Sequence, residues 1–272
     1  LAVSSATDAA SPEHAMPTFL SDGLELSYLD EGQGRPVLLI HGFASNKSVN
    51  WTYPGWVETL TRSGRRVIAL DNRGHGESAK SYEPGDYALP LMAEDARRLL
   101  DHLGVEKADV LGYSMGARIA ALLALAHPER VRSLVLGGMG YGLVSGMANG
   151  EPIAAALEAP SLAEVSDPTG RAFRQFAEQT KGDLAALAAC MRSVRQPLRE
   201  DEVAKITVPT LIAVGSRDLI AGSPTALAAL MPDAKVLEIP GRDHMVAVGD
   251  RVFKQGVVQF LSDLDDPSRG GA

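Results

Sequence analysis

The chain is 272 residues long, 45% hydrophobic and 22% charged, with a net charge of −8 and a pI near 5.3. That length fits one large α/β domain or a core domain with an inserted lid, and the acidic balance argues against a nucleic-acid surface, which needs clustered positive charge. A single cysteine, Cys190, excludes an intrachain disulfide and Cys/His zinc spacing, and no apolar run approaches the roughly 20 residues that span a bilayer.

Residues 1–15 are rich in Ala and Ser and lack the apolar core of a signal peptide. They are expected to form a disordered tail or an expression remnant, with the folded part opening at Met16. Residues 24–28 alternate apolar and polar, which predicts a half-exposed strand. Asp30-Glu31-Gly32-Gln33-Gly34 reads as a turn. Residues 37–40, 67–70, 110–111, 134–136 and 211–214 are continuous apolar runs, as expected of parallel strands covered on both faces; residues 236–239 read as a further strand. Between them, residues 91–103 carry Met92, Ala96, Leu99 and Leu103 on one helical face, with Gly104 placed to end the helix. Residues 117–126 are apolar nearly all round and are stopped by Pro128. This alternation predicts an α/β fold with a doubly wound, mostly parallel sheet.

One segment breaks the alternation. Residues 139–205 hold no convincing strand, and their patterns at 153–157, 172–180 and 184–194 are helical, divided by Asp167-Pro168-Thr169-Gly170. The predicted organisation is therefore a core of residues 16–138 and 206–264, a helical cap of residues 139–205, and a loose C-terminus at 265–272.

The chemistry centres on Gly112-Tyr113-Ser114-Met115-Gly116, a G-x-S-x-G sequence between an apolar strand and an apolar helix. A strand turning into a helix within five residues makes a strained elbow, and the flanking glycines leave room for it. Ser114 is thus the candidate nucleophile. A Ser hydroxyl needs a general base, usually a His held by a carboxylate. Asp218 lies just past the 211–214 strand and His244 just past the 236–239 strand. In a parallel sheet the strand C-termini share one crevice, so these three residues are expected to converge there. Asp243 is the neighbouring rival acid and reads better as a loop residue.

With these residues in order, the chain resembles the α/β-hydrolase superfamily, in the group of esterases, lipases and C–C hydrolases with a helical cap. The resemblance covers residues 24–264. It maps the nucleophile onto Ser114, the acid onto Asp218 and the base onto His244. His41-Gly42-Phe43 resembles the family's oxyanion loop, which implies the backbone N–H groups of Phe43 and Met115 as oxyanion donors. Asp71-Asn72-Arg73-Gly74-His75-Gly76-Glu77-Ser78 resembles a second family signature. Two features depart from the pattern: residues 44–56 form a longer loop than usual, and Ala117 stands where many relatives carry Gly.

His41, Tyr113, Met139 and Tyr141 are expected around the substrate pocket, with His41 bracing backbone rather than reacting. Trp51, Tyr53 and Trp56 either line the pocket mouth or pin the long loop; Met147 is expected beside Met139 at the start of the cap. The arginines at 171, 174, 192, 195 and 199 read as a solvated helix face or include one that meets a substrate carboxylate. The implied activity is a serine hydrolase of the carboxylesterase type, cleaving a small or medium ester through an acyl-enzyme on Ser114, with neither metal nor organic cofactor. C–C bond hydrolysis of a meta-cleavage product and enol-lactone hydrolysis are alternatives on the same site. A non-catalytic small-molecule receptor is the alternative of another class. The expected partner is a small-molecule acyl substrate, not nucleic acid or membrane, and the expected location is cytoplasmic; the oligomeric state is left open.

Overall fold

The apolar runs pair into one eight-stranded sheet: β1 (Thr18–Ser21), β2 (Leu24–Glu31), β3 (Arg35–Ile40), β4 (Arg65–Leu70), β5 (Ala108–Tyr113), β6 (Val131–Gly137), β7 (Thr210–Gly215) and β8 (Ala234–Ile239). This is a computed structural model that describes residues 16–146, 150–193 and 196–266. The expected tail at 1–15, most of the expected loose end at 265–272, Met147, Val194 and Arg195 fall outside the described residues. The strand order is β1-β2-β4-β3-β5-β6-β7-β8, antiparallel for β1–β2 and β2–β4 and parallel from β4 through β8. β3, β5, β6 and β7 are buried over nearly their whole length, which is why they read as unbroken apolar runs instead of alternating ones.

Two apolar clusters, one on each face, hold the sheet in place. Residues such as Leu38, Ile40, Val110 and Leu134 face α2 (Leu89–His102) and α3 (Met115–Ala126). Their neighbours Leu39, Leu111 and Val135 face Trp56 of α1 (Trp56–Arg62) and Phe253 of α10 (Arg251–Asp265). The alternation follows from the period of two along a strand. Gly104 takes a positive φ of 64° just past α2, as its position after the last apolar residue predicts.

Between β6 and β7 the described chain is helical: α4 (Gly142–Ser145), α5 (Glu151–Glu158), α6 (Pro168–Gln179), α7 (Leu184–Arg192) and α8 (Glu200–Val203), with a 3₁₀ turn at Leu162–Glu164. The Asp167 side chain caps α6 by accepting from Gly170 N–H, and Asp183 caps α7 from Ala186 N–H. Thr180 Oγ1 donates to the Ala44 carbonyl at 2.7 Å, and the Phe173 and Phe43 rings meet edge-on at 5.8 Å, so this segment is seated on the loop after β3. A short α9 (Pro224–Ala228) joins β7 to β8. No helix among the described residues is long and apolar enough to cross a membrane.

The loop after β4 is anchored through charge. Arg73 donates to both carboxylate oxygens of Asp95 on α2, at 2.7 and 2.8 Å, and Ser21 Oγ donates to Asp95 at 2.5 Å; all three side chains are buried. Removing one partner of a buried ion pair leaves the other uncompensated. Asp95→Ala is therefore expected to destabilise the fold by about 3–5 kcal/mol, read as a lower urea midpoint at an unchanged m-value.

Candidate active site

β5 passes into α3 through Ser114, whose φ of 55° and ψ of −113° lie outside the regions that residues with a Cβ normally adopt. What compels this geometry is close backbone approach. A Cβ on Gly112 would lie 2.1 Å from the Gly116 carbonyl oxygen, and one on Gly116 would lie 2.0 Å from the Ile40 carbonyl oxygen. Only glycine fits either position, so α3 sits directly against the ends of β3 and β5. Ser114 N–H donates to the Gly137 carbonyl at 2.8 Å, tying the elbow to β6 as well.

The candidate acid and base follow β7 and β8. Asp218 Oδ1 accepts from Ile220 and Ala221 N–H at 2.8 and 2.9 Å. Its Oδ2 accepts from His244 Nδ1 at 2.7 Å, and His244 Nε2 accepts from Ser114 Oγ at 2.9 Å. Burial pushes the Asp218 carboxyl up, but the His244 contact and the two backbone donors outweigh it and hold it below the usual range. Asp218 therefore stays ionised and fixes the His244 tautomer, leaving Nε2 free to accept from the Ser114 hydroxyl. The two loops are joined to one another: Ser216 N–H donates to the Ile239 carbonyl, Arg217 N–H to the Arg242 carbonyl and Gly241 N–H to Ser216 Oγ, at 2.8–3.0 Å. Tyr113 Oη donates to the His244 carbonyl at 2.6 Å. Asp243, the rival acid, accepts from Met245 and Val246 N–H and serves its own loop.

Ser114, Phe43, Met115, Tyr113, Met139 and His244 all line one cavity of about 380 Å³. Met115 opens α3, so its N–H belongs to the leading amides that no intrahelical carbonyl reaches. Phe173 and Phe176 from α6, Met191 from α7, and Val246 and Val248 beyond His244 make the wall mainly apolar. Sequence reading missed three polar wall residues: Ser45, Asn50 and Arg118. Ser45 Oγ is buried with no hydrogen-bond partner among the described residues. Arg118, on α3, donates to the Gly142 carbonyl at 2.6 Å.

Two expected pocket residues do not reach the cavity. His41 is fully buried beneath it: its Nδ1 donates to the Gly42 carbonyl at 2.7 Å and its Nε2 accepts from Asn72 N–H at 3.0 Å. Tyr141 turns its hydroxyl to Glu200 on α8, at 2.6 Å. The tryptophans pin the long loop. Trp51 and Trp56 are fully buried and edge-on to each other at 5.9 Å, and Trp56 Nε1 donates to the Val248 carbonyl, while Tyr53 is exposed. The described arginines between β6 and β7 also point elsewhere: Arg171 and Arg174 to backbone carbonyls, Arg192 to Glu151 and Glu158, and Arg199 to Asp201. Lys47, which sequence reading passed over, is buried and holds Asp71 and Glu77 at 2.6 and 2.7 Å. Among the described residues no group of three or more His, Cys, Asp or Glu is placed to hold a metal ion.

Residues 35–190 match the alpha/beta hydrolase fold family. The chain belongs to the α/β-hydrolase family. Among curated α/β-hydrolase relatives, a putative carbamate hydrolase of Azorhizobium caulinodans is 30% identical over 92% of this chain and 100% of its own. A 2-hydroxymuconate semialdehyde hydrolase of Pseudomonas putida is 38% identical over 54% of this chain and 50% of its own. Three further curated relatives are matched over 59%, 20% and 24% of their length. A hydrolase of Pseudomonas aeruginosa PA01 has a solved structure that superposes with a TM-score of 0.77 at 28% identity, over 91% of this chain and 98% of that one.

Beneath the site this α/β-hydrolase carries two buried histidines, His41 and His75, with rings 5.2 Å apart. Burial lowers both; His75, also repelled by His41, is pulled down to about 3. Above the ordinary value of 6.5 His75 is neutral in the folded and unfolded chains alike. Below it the unfolded chain takes up a proton that the folded chain refuses until about pH 3. Stability is therefore lost as the pH drops from 6.5 toward 3, by up to about 1.4 kcal/mol per pH unit for this one ring. Urea titrations between about pH 5 and 6.5 are expected to show this slope, and His75→Gln to reduce it by about one proton. An unchanged slope in the variant would contradict the buried neutral ring.

Proposed function

We propose that this chain is a serine hydrolase that cleaves the carboxylic ester of a small or medium, mainly apolar substrate through an acyl-enzyme on Ser114. The observation that carries this reading is the unbroken Asp218–His244–Ser114 hydrogen-bond chain opening on the apolar cavity. His244 takes the Ser114 proton as Oγ attacks the ester carbonyl carbon. Asp218, ionised and buried, stabilises the imidazolium that results. The N–H groups of Phe43 and Met115 meet the oxyanion, each at a gain of roughly 3–4 kcal/mol in the transition state. The leaving alcohol receives its proton from His244, and water then reverses the sequence to free the acid and restore Ser114. The helices between β6 and β7 act as a cap, giving Phe173, Phe176 and Met191 to the acyl wall; a volume of about 380 Å³ lies at the small end of ligand cavities.

Arg118 favours a second reading. It brings a positive charge to the cavity wall, where a substrate carboxylate would find a partner. C–C cleavage of a muconate-like acid, the class named for the Pseudomonas putida relative, would use such a contact.

Two measurements test the reading. A series of p-nitrophenyl esters is expected to turn over best at short or medium acyl length, and a meta-cleavage dienoate assayed alongside separates ester from C–C hydrolysis. Ligand binding without turnover would instead mark a receptor. A fluorophosphonate is expected to modify Ser114 alone, and Ser114→Ala to lower kcat by on the order of 10⁴–10⁶ while the fold is kept. An adduct mapped elsewhere would overturn the assignment. Asp218→Asn is expected to lower kcat by on the order of 10⁴ by releasing the wrong imidazole tautomer.

A further inference from the structure

The long loop after β3 does more than border the cavity. Its residues Ser48–Thr52 form a π-helical turn, closed by Tyr53 N–H donating to the Ser48 carbonyl at 2.9 Å. Such turns insert one residue into a helix and re-aim its neighbours, and they recur at functional sites. The residue re-aimed here is Asn50. Its Oδ1 accepts from Gly42 N–H at 3.2 Å, and its side chain lines the same cavity as Ser114, Phe43 and Met115. A Cβ placed on Gly42 would lie 3.5 Å from Ser114 Cβ and 3.9 Å from Asn50 Oδ1. The amide and the nucleophile therefore flank one glycine, next to the peptide group that bears the Phe43 N–H.

With Oδ1 committed to Gly42, the Nδ2 group has no protein acceptor within hydrogen-bond reach among the described residues, and Asn50 is only 4% exposed. Its open side is the cavity. We propose that Asn50 is a further catalytic residue, its Nδ2–H donating to the substrate oxygen that becomes the oxyanion, beside the Phe43 and Met115 amides. This rests on the acyl-enzyme reading of Ser114.

The loop is built to hold that amide still. Asn46 Oδ1 accepts from Ser48 and Val49 N–H at 3.0 and 2.9 Å. On one side Lys47 is buried, with its N–H on Asp71 Oδ1 at 2.6 Å and its Nζ on Asp71 and Glu77. On the other side Trp51 is fully buried against Trp56. A donor fixed before the reaction begins costs no reorganisation as charge develops on the oxygen, which is the condition under which such donors accelerate acyl transfer.

Asn50→Asp and Asn50→Ala separate this role from a purely structural one. Asp keeps an oxygen for Gly42 N–H and loses the donor; Ala loses both. The proposal expects kcat on a p-nitrophenyl ester to fall by about 10²–10³ in Asn50→Asp, at least as far as in Asn50→Ala, with KM changed little. The rate of Ser114 phosphonylation by a fluorophosphonate is expected to fall in parallel, because the phosphonyl oxygen takes the same place. Retention of wild-type kcat by Asn50→Asp, with loss only in Asn50→Ala, would overturn the donor role and leave Asn50 as a brace for Gly42. Ser114→Ala is run beside them. Turnover that survives Ser114→Ala overturns the acyl-enzyme reading itself, whereas a dead Ser114→Ala with a fully active Asn50→Asp overturns the Asn50 proposal alone.

Discussion

The closeness of α3 to the ends of β3 and β5 is the constraint from which the site follows. Gly112 and Gly116 let backbone meet backbone where any side chain would collide. With no room to relax, Ser114 is held at φ 55° and ψ −113°. Strain of this kind costs of order 1–3 kcal/mol and persists only where the surroundings over-determine it. Here the surroundings are the buried centre of an eight-stranded sheet. The proposed nucleophile is thus presented by backbone geometry, while its proposed partners arrive on hydrogen-bonded loops at the ends of β7 and β8.

A second layer supports the proposed oxyanion donors. The Gly42–Phe43 peptide lies beside the cavity, and its carbonyl accepts from His41 Nδ1. His41 can do this only as a neutral ring, since its Nε2 is already accepting from Asn72 N–H. Burial keeps it neutral. Hydrogen bonds in series polarise one another, so the brace that the sequence suggested also makes the Phe43 N–H a better donor. His41 thus acts from beneath the pocket and not from its wall.

Most of the sheet was legible because its strands are covered on both faces and read as plain apolar runs. Two of the elements that escaped have physical reasons. β1 is four residues long, with alternate residues exposed, too brief for a period to register. α10 carries Gly256 in mid-helix, a residue that costs helix stability; the structure uses its bareness to bring the helix against Leu237, which a Cβ would meet at 2.4 Å. Ser114, Asp218 and His244 were readable because each lies at or shortly past a strand's C-terminal end, and a parallel sheet gathers strand ends at one edge. Asn50, Ser45 and Arg118 were not, because which way a loop turn or a buried helix face points is decided by tertiary packing. Tyr141 was misplaced for the same reason: its position opens the helical segment, but Glu200 on a distant turn captures its hydroxyl.

The acid and base loops are bonded to each other and hang from β7 and β8, and β8 is the outermost strand of the sheet, with several of its residues open to solvent. Local opening favours segments with few buried contacts and solvent-exposed hydrogen bonds. An excursion that peels β8 away removes His244 and loosens Asp218 together, while Ser114 stays on the intact centre. In such an opening Ser114 would keep its strained place while losing its hydrogen bond to His244. On the proposed reading, heat would then cost this chain its activity through the grip of one border strand before the core melts.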